Sequence, residues 1–219
     1  MPPSRKRRPP VTADTPRADA GQETELRIIG GTFRGRRLRY HGDPRVRPMK
    51  HRVREAIFNL ISTESTDRHA IDLFAGTGAL GLEALSRGAA SATFIEKHVP
   101  SARIVQENID SLGVGDRAVL RVTSAFLWAR RDLPSEGDAP PANRPWLVFC
   151  SPPYAFFVDR AVEMRELVAR IAEHAPPAST LVIEADQRFD FQSLIGENGS
   201  GWDVREYPPA VVGIWRLEL

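Results

Sequence analysis

The segment Ser151-Pro152-Pro153-Tyr154 combines a rigid backbone with hydrogen-bond acceptors, directly after the apolar run of residues 146–150. Two consecutive prolines fix φ twice and remove two N–H donors, so the carbonyl oxygens of this corner are left to accept. The amino group of a nucleobase is a poor nucleophile because its lone pair is delocalised into the ring, and acceptors that hold its N–H groups let the nitrogen become pyramidal. We expect the Ser151 Oγ and the Pro152 carbonyl to be such acceptors, and Tyr154 to stack on an extruded base. Taken alone, the segment is also typical of a rigid turn.

A glycine-rich turn earlier in the chain has the spacing of a cofactor-binding turn. Gly76, Gly78 and Gly81 follow an apolar run and open a helical pattern, and glycine lets the backbone bend sharply and approach a ligand. Glu96 stands twenty residues after Gly76, where it can accept hydrogen bonds from a ribose diol. The pattern fits a dinucleotide or S-adenosylmethionine. Asp72 favours the second ligand, because a carboxylate there would repel a pyrophosphate and can orient the turn or a ligand ammonium.

Alternating strands and helices must position these two segments. Apolar runs predict strands at residues 70–74, 92–96, 118–122, 146–150 and 180–184, with two later ones at 202–206 and 211–217. Helical patterns lie at residues 79–87, 100–111, 124–131 and 161–174. Strands that alternate with helices form a parallel sheet covered on both faces, and a closing pair without a helix between them indicates an antiparallel edge. We therefore predict an α/β, Rossmann-like fold with a seven-stranded, mostly parallel sheet.

The chain before this sheet is strongly basic. Residues 1–25 have almost no large apolar side chain and are predicted to be a disordered tail. Residues 26–62 predict a basic β-hairpin around Gly30-Gly31, with Gly35 as a bulge or tight bend, and then an amphipathic helix at about 50–62. We expect this extension to bind RNA and residues 63–219 to form the catalytic domain.

Charge is distributed unevenly between these parts. Residues 26–54 hold ten Lys or Arg against one Asp or Glu, and the residues after them hold fifteen against twenty-three. A segment of net charge +9 thus precedes a body of net charge −8. This concentration predicts a polyanionic partner, because neutralising phosphates releases condensed counterions. A solvated basic face is the alternative.

Composition excludes several other classes of protein. The 219 residues are 42% hydrophobic and suffice for one principal domain with its own core. The single cysteine, Cys150, rules out an intrachain disulfide and a cysteine-rich zinc site, and the five scattered histidines predict no metal site. No apolar run reaches ~18 residues and no signal peptide is visible, so we expect a cytoplasmic protein that does not enter a membrane.

In the order of five motifs the chain resembles the RsmD-type family of bacterial small-subunit ribosomal RNA guanine-N2 methyltransferases. The motifs are GTFRGRRL, RPMKHRVREAIFNL, DLFAGTGALGLEALSRGA, FIEK and SPPY, and they cover essentially residues 26–217. The resemblance implies a class I, S-adenosylmethionine-dependent methyltransferase fold. It implies methylation of the exocyclic N2 of one guanine of 16S rRNA, in an assembling 30S subunit, by a protein that we expect to be a monomer.

Site residues follow from the resemblance and from the two segments above. The cofactor set is Asp72, Phe74, Ala75, Gly76, Thr77, Gly78, Glu96, Lys97, Ser124 and Ala125. The catalytic set, which holds the target base, is Ser151, Pro152, Pro153 and Tyr154. The RNA-binding set is Arg34, Arg36, Arg37, Arg47, Lys50, Arg52 and Arg54.

Two serines depart from the family's pattern. Ser151 and Ser124 stand where the family usually has Asp or Asn, and serine is a shorter, neutral acceptor with weaker reach and polarisation. Amino-methylases of cytosine resemble the SPPY version, so adenine N6 and cytosine N4 stay open as targets. A catalytically silent RNA-binding assembly factor and a nicotinamide-dependent dehydrogenase are the remaining alternatives. The dehydrogenase would leave the SPPY segment and the basic extension without a role.

Overall fold

The computed structural model describes residues 26–40, 49, 51–133, 135, 139–194 and 201–217. Its central feature is a seven-stranded sheet of order β3-β2-β1-β4-β5-β7-β6. The strands are β1 His69–Asp72, β2 Ser91–Ile95, β3 Ala118–Arg121, β4 Trp146–Cys150, β5 Thr180–Asp186, β6 Trp202–Tyr207 and β7 Ala210–Arg216. The helices are α1 His51–Leu60, α2 Ala79–Ser86, α3 Val99–Leu112, α4 Ala125–Arg131, α5 Phe156–Asp159 and α6 Ala161–His174, with a 3-10 helix at Phe191–Leu194. The predicted tail, residues 1–25, lies outside the described residues.

Strand pairing confirms the predicted fold class. Strands β1 to β5 pair in parallel, while β7 pairs antiparallel with both β5 and β6. The two central strands, β1 and β4, are buried along their whole length, as expected for parallel strands covered on both faces. The sheet therefore has a parallel body and the antiparallel edge expected from the two closing strands.

Helices cover the sheet in two layers. Helices α1, α2 and α3 pack on one face, while α4, α6 and the 3-10 helix pack on the other. Side chains of β4 alternate between the two cores: Leu147 and Phe149 face the first layer, and Trp146, Val148 and Cys150 face the second. The short α5 and the 3-10 helix were not predicted, because four residues are too few to show a helical period.

The predicted basic hairpin is only partly regular. Residues 26–40, which we call the N-terminal arm, fold back on themselves with one antiparallel bridge between Arg27 and Arg37 instead of two strands. The tight bend falls at Gly35, whose φ of +83° suits glycine, as predicted. The ladder stops because the N–H groups of Ile29 and Gly30 donate to a side chain of α2 rather than across the arm. A boundary between residues 62 and 63 stays a prediction.

Neither a membrane-spanning helix nor a metal-ligand cluster occurs among the described residues. The longest described helices, α3 and α6, have fourteen residues each, against the roughly 20 that a membrane span needs. No three His, Cys, Asp or Glu side chains of the described ranges come together as metal ligands.

Candidate active site and nucleic-acid surface

The carboxyl edge of the sheet brings the glycine turn and the Ser-Pro-Pro-Tyr corner together. Strands β1 and β4 are parallel neighbours in which Asp72 is aligned with Phe149, and the Leu73 N–H donates to the Phe149 carbonyl at 3.0 Å. The two segments therefore leave the sheet side by side. The rings of Phe74 and Phe156, whose centroids are 6.2 Å apart, connect them. This is the arrangement that a transfer site between a cofactor and a base requires.

The glycine turn has the backbone that its spacing predicted. Gly76 and Gly78 have φ of +56° and +79°, in the left-handed region where a side chain is strained. Asp72 is buried beneath the turn, and its Oδ2 accepts a hydrogen bond of 3.1 Å from the Gly81 N–H. Burial, helped by the nearby charge of Glu96, raises the pKa of Asp72 to about 7, although the backbone hydrogen bonds from Gly81 and Phe74 oppose the shift. Of the two uses considered for Asp72, the structure shows orientation of the turn.

Glu96 closes the turn from the neighbouring strand end. Its Oε2 accepts from the Gly76 N–H at 2.9 Å, and its Oε1 accepts from the His98 N–H at 2.7 Å. The side chain is half-buried, and each oxygen keeps a second lone pair that a ribose hydroxyl can use. Lys97 is exposed, with its Nζ 5.3 Å from the centre of the Phe156 ring.

The remaining members of the cofactor set include Phe74, which belongs to an aromatic cluster. The rings of Phe74, Phe126 and Phe156 contact one another with centroids 5.9 to 6.2 Å apart. Ser124 is half-buried and precedes α4 without making a side-chain cap bond, so its hydroxyl is not committed to the helix. Ala75, Thr77 and Ala125 are buried. The apolar ring cluster thus adjoins the glycine turn through Phe74, and Ser124 precedes the helix that carries Phe126.

Glu184, a residue that sequence analysis missed, accepts hydrogen bonds from both ends of the Ser-Pro-Pro-Tyr corner. The Ser151 hydroxyl donates to Glu184 Oε2, and the Tyr154 hydroxyl donates to Oε1 at 2.8 Å. Glu184 lies in β5 and is only 8% exposed. The one signal in the sequence was an acidic residue within the apolar run LVIEAD. It could not be interpreted without knowing which strand lies beside 146–150.

The carbonyl groups of the corner differ in their partners. Among the described residues no donor contacts the carbonyl oxygen of Pro152, and Pro152 itself is buried, so its role as an open acceptor stays a prediction. The Pro153 carbonyl, in contrast, accepts the Phe156 N–H at 2.9 Å and so begins the turn into α5. Pro153 therefore contributes rigidity rather than an open acceptor. Ser151 and Tyr154 are half-buried, and Pro153 is exposed.

Buried polar side chains of α2 and α3, among them Glu83 and Asn108, fasten the N-terminal arm to these helices. The Glu83 carboxylate accepts the N–H groups of Ile29 at 2.7 Å and Gly30 at 2.8 Å. Asn108 accepts the Arg39 N–H at 2.7 Å and donates to the Thr77 carbonyl at 2.9 Å. Asn108 therefore ties the arm to the glycine turn itself. Both contacts join segments that are more than thirty residues apart, so no local sequence pattern predicts them.

Most described members of the RNA-binding set lie on the surface. Arg34, Arg36 and Arg37 are exposed on the arm, where Arg36 also donates to the Ser111 carbonyl at 2.6 Å. Arg52 is exposed at the start of α1 and donates to the Pro208 carbonyl at 3.1 Å, at the end of the sheet where β7 begins. Arg47 and Lys50 lie outside the described residues. Arg52 thus lies at the carboxyl edge, whereas the arm that carries the other arginines contacts the C-terminal ends of α2 and α3, at Ser86 and Ser111.

Arg54 corrects the predicted RNA-binding set. It is fully buried, and its Nη2 donates to the Arg27 carbonyl, so the guanidinium joins α1 to the arm instead of facing solvent. Burial lowers the pKa of Arg54, and the Glu83 carboxylate partly offsets this. The helical pattern alone placed position 54 away from the apolar face, but the arm covers that side of α1.

Comparisons with known proteins extend over most of the described fold. A family model described as "Conserved hypothetical protein 95" matches residues 26–198. A curated relative, "Ribosomal RNA small subunit methyltransferase D" of Escherichia coli (strain K12), is 38% identical over 130 residues, which are 59% of this chain and 61% of that protein. The chain thus matches about three fifths of that relative's length. A "Putative rRNA methyltransferase YlbH" of Bacillus subtilis (strain 168) is 28% identical over 178 residues, 78% of this chain and 89% of the relative.

A solved structure shares the whole architecture. The structure described as "Putative methyltransferase yhhF from Escherichia coli" superposes with a TM-score of 0.69 at 26% sequence identity. The superposition covers 89% of this chain and 99% of the other. The doubly wound sheet with its antiparallel edge is therefore an arrangement that this chain has in common with a protein named as a methyltransferase.

Proposed function

Since this chain belongs to the family described as Conserved hypothetical protein 95, we propose that it is an S-adenosylmethionine-dependent methyltransferase of small-subunit ribosomal RNA. The observation that carries the proposal is the corner of Ser151 and Pro152, whose acceptors leave the sheet beside the glycine turn. We assign the reaction to the exocyclic N2 of a guanine of 16S rRNA.

The residues of the turn fit S-adenosylmethionine better than a dinucleotide. A pyrophosphate needs the free N–H groups of the first helical turn, but the Gly81 N–H already donates to Asp72. The Glu96 carboxylate adjoins the same turn and can accept from a ribose diol. When bound, S-adenosylmethionine supplies a methyl group that its sulfonium has already activated. The protein then needs to hold the acceptor nitrogen in line, and no metal ion is called for.

The corner holds the amino group of the base. Ser151 Oγ and the Pro152 carbonyl accept its two N–H groups, which turns the nitrogen lone pair toward the methyl donor. In-line placement at roughly 3 to 3.5 Å supplies most of the rate enhancement in such a reaction. Tyr154, fixed through its hydroxyl, offers a ring for an extruded base.

The RNA substrate is supported by charge and by the relatives. The Escherichia coli and Bacillus subtilis relatives carry ribosomal RNA in their names. The exposed arginines of the arm, together with Arg52 at the start of α1, suit contacts to a phosphate backbone. We propose that the protein acts as a monomer in the cytoplasm, on 16S rRNA within an assembling 30S subunit.

The test is methyl transfer in vitro followed by nucleoside analysis. The full chain is incubated with labelled S-adenosylmethionine and small ribosomal subunits from cells that lack this protein. Mass spectrometry of the digested RNA should show N2-methylguanosine at one site. A Glu96→Ala variant should lose both methyl transfer and calorimetric binding of S-adenosylhomocysteine, because the ribose acceptor is gone.

The alternatives give different outcomes in the same experiment. Appearance of N6-methyladenosine or N4-methylcytosine would contradict the assignment to guanine while keeping the reaction class. RNA binding without any methyl transfer would contradict the proposal in favour of a silent assembly factor.

A further inference from the structure

We propose that Glu184 is a positioning residue that makes Ser151 an obligate hydrogen-bond acceptor and thereby selects an amino group, rather than a ring carbonyl, at the reacting position. The inference rests on the proposed function, and it concerns a residue that neither motif of the site contains. It also explains how a neutral serine can occupy the first position of the corner.

Strand register places Glu184 directly beside the corner. Strands β4 and β5 are parallel neighbours in which Cys150 is aligned with Ile183, so Ser151 and Glu184 follow as the next pair. Glu184 is 8% exposed and directs its two carboxylate oxygens to two different hydroxyls, those of Ser151 and Tyr154. One buried carboxylate therefore fixes both side chains that flank the two prolines.

The charge of Glu184 has no cationic partner in the described part of the chain. No ion pair among the described residues includes it, so the two hydroxyls are what compensates its burial. Hydrogen bonds to an ionised acceptor are stronger than bonds between neutral groups. Both hydroxyl protons are thus firmly committed to the interior of the protein.

This commitment decides what Ser151 can offer to a base. A serine hydroxyl has one proton and two lone pairs, and its proton is used on Glu184, so only lone pairs remain for the open side. An N–H group of a base can bind there, whereas a carbonyl oxygen would meet lone pairs and stay unpaired. The site therefore discriminates against bases with an oxygen at the reacting position by leaving a polar group unsatisfied.

The same contact strengthens Ser151 as an acceptor during the reaction. A hydroxyl that donates to a carboxylate carries more negative charge on its oxygen, because hydrogen bonds in a chain polarise one another. Positive charge develops on the amino nitrogen as the new N–C bond forms and the S–C bond to the departing thioether breaks, and it persists until one N–H proton is lost to solvent, so the gain is larger in the transition state than in the bound substrate. We therefore expect Glu184 to act on kcat more than on KM.

A double-mutant cycle tests the coupling between the two residues. Glu184→Gln, Ser151→Ala and the double variant are compared on small ribosomal subunits from cells that lack this protein. Glu184→Gln should lower kcat by roughly 10- to 100-fold with KM within about twofold, since the glutamine amide leaves Ser151 free to turn its proton outward. In the Ser151→Ala background, the same Glu184→Gln change should cost much less than in the wild type, leaving only the part that acts through Tyr154. Glu184→Asp, which keeps an ionised acceptor, should recover part of the loss.

Controls separate positioning from stability and from cofactor binding. Glu64→Gln is the matched control, because Glu64 accepts from Thr180 Oγ1 at 2.6 Å and pairs with Arg216 at 2.7 Å near the opposite end of β5. We expect this variant to keep the wild-type kcat. Calorimetric titration with S-adenosylhomocysteine should give the same affinity in the wild type, Glu184→Gln and Ser151→Ala, because Glu96 and the turn are untouched.

Two results would overturn the inference while the proposed function stands. One is a wild-type kcat in folded Glu184→Gln, and the other is a loss in the double variant equal to the product of the single losses. A wild-type protein that transfers no methyl group would overturn the proposed function and this inference with it.

Discussion

Two buried carboxylates at the carboxyl edge of the sheet, Asp72 and Glu184, differ in the groups that donate hydrogen bonds to them. Glu184 accepts from two hydroxyls, whereas Asp72 accepts from backbone N–H groups, those of Gly81 and Phe74. Burial raises the pKa of Asp72 to about 7, so its ionised form costs folding free energy. In return, the Asp72 carboxylate fixes the backbone of the glycine turn through the Gly81 N–H, which a ligand-binding turn needs.

The Asp72→Asn variant should reveal this cost through pH. The pKa of Asp72 is about 7 when folded against an ordinary 3.8, so the folded state binds its proton more tightly. The stabilisation is fully present below about pH 4 and is lost as pH rises through about 7. We expect the unfolding free energy of the wild type minus that of Asp72→Asn to fall by about 2 to 4 kcal/mol over this window.

Urea unfolding of both proteins at about pH 4.5, 6 and 7.5 measures the difference. Other titrating groups are common to the two proteins and cancel in it. A difference that does not change with pH would show that Asp72 keeps an ordinary pKa.

At the scale of elements, the turn between β1 and α2 needs glycine for two reasons. Gly76 and Gly78 adopt positive φ, and Gly81 lets α2 approach β2 closely. A Cβ at Gly81 would lie 2.4 Å from the Phe94 ring, a buried side chain of β2. The third glycine therefore lets α2 rest on β2, which aims the start of the helix at the site. The spacing of the three glycines predicted the turn, but the neighbour that requires the third one is visible only in the fold.

Gly81→Ala should therefore destabilise the protein. We expect a loss of about 1 to 3 kcal/mol of unfolding free energy, because neither the Phe94 ring nor the helix can move without disturbing a packed core. Gly115→Ala is the matched control, since a Cβ there meets nothing within 4 Å. Chemical denaturation measures both, and equal stabilities of the two variants would refute the packing argument.

At the scale of the whole molecule, opposite charges are separated between the extension and the sheet domain. Residues 26–54 carry net charge +9 and the residues after them carry −8. The arm and the start of α1 hold exposed arginines, while α6 lies on the other face of the sheet. Such a distribution orients a polyanion toward one side, and the acidic remainder disfavours binding elsewhere.

The triple variant Arg34→Ala, Arg36→Ala and Arg37→Ala should weaken RNA binding in a salt-dependent way. Each phosphate contact that is lost should reduce the slope of log affinity against log salt concentration by about 0.7 to 1, hence by roughly 2 to 3 in all. Filter binding of small ribosomal subunits from about 50 to about 200 mM KCl measures this slope. Arg165→Ala, an exposed change on α6, should leave it unaltered. Equal slopes for the triple variant and the wild type would remove the arm from the RNA surface.

The sequence by itself determined the seven strands, the longer helices and the two segments that carry chemistry. Apolar runs predicted every strand, and helical periods predicted the longer helices. Strand β4 has the predicted bounds Trp146–Cys150. Glycine and proline also act locally, because they restrict or free the backbone of their own residue. This is why the turn at Gly76 and the corner at Pro152 could be identified before any fold was known.

Only the tertiary structure decided which distant side chains meet. The order of strands sets Glu184 beside Ser151, and packing of the arm buries Arg54 and directs the N–H groups of Ile29 and Gly30 to Glu83. These contacts join residues 27 to 54 positions apart. Hydrophobic periodicity reports which face of an element is covered, but it does not report what covers it. Burial, and with it the cost or the use of a buried charge, therefore became known only when the layers were in place.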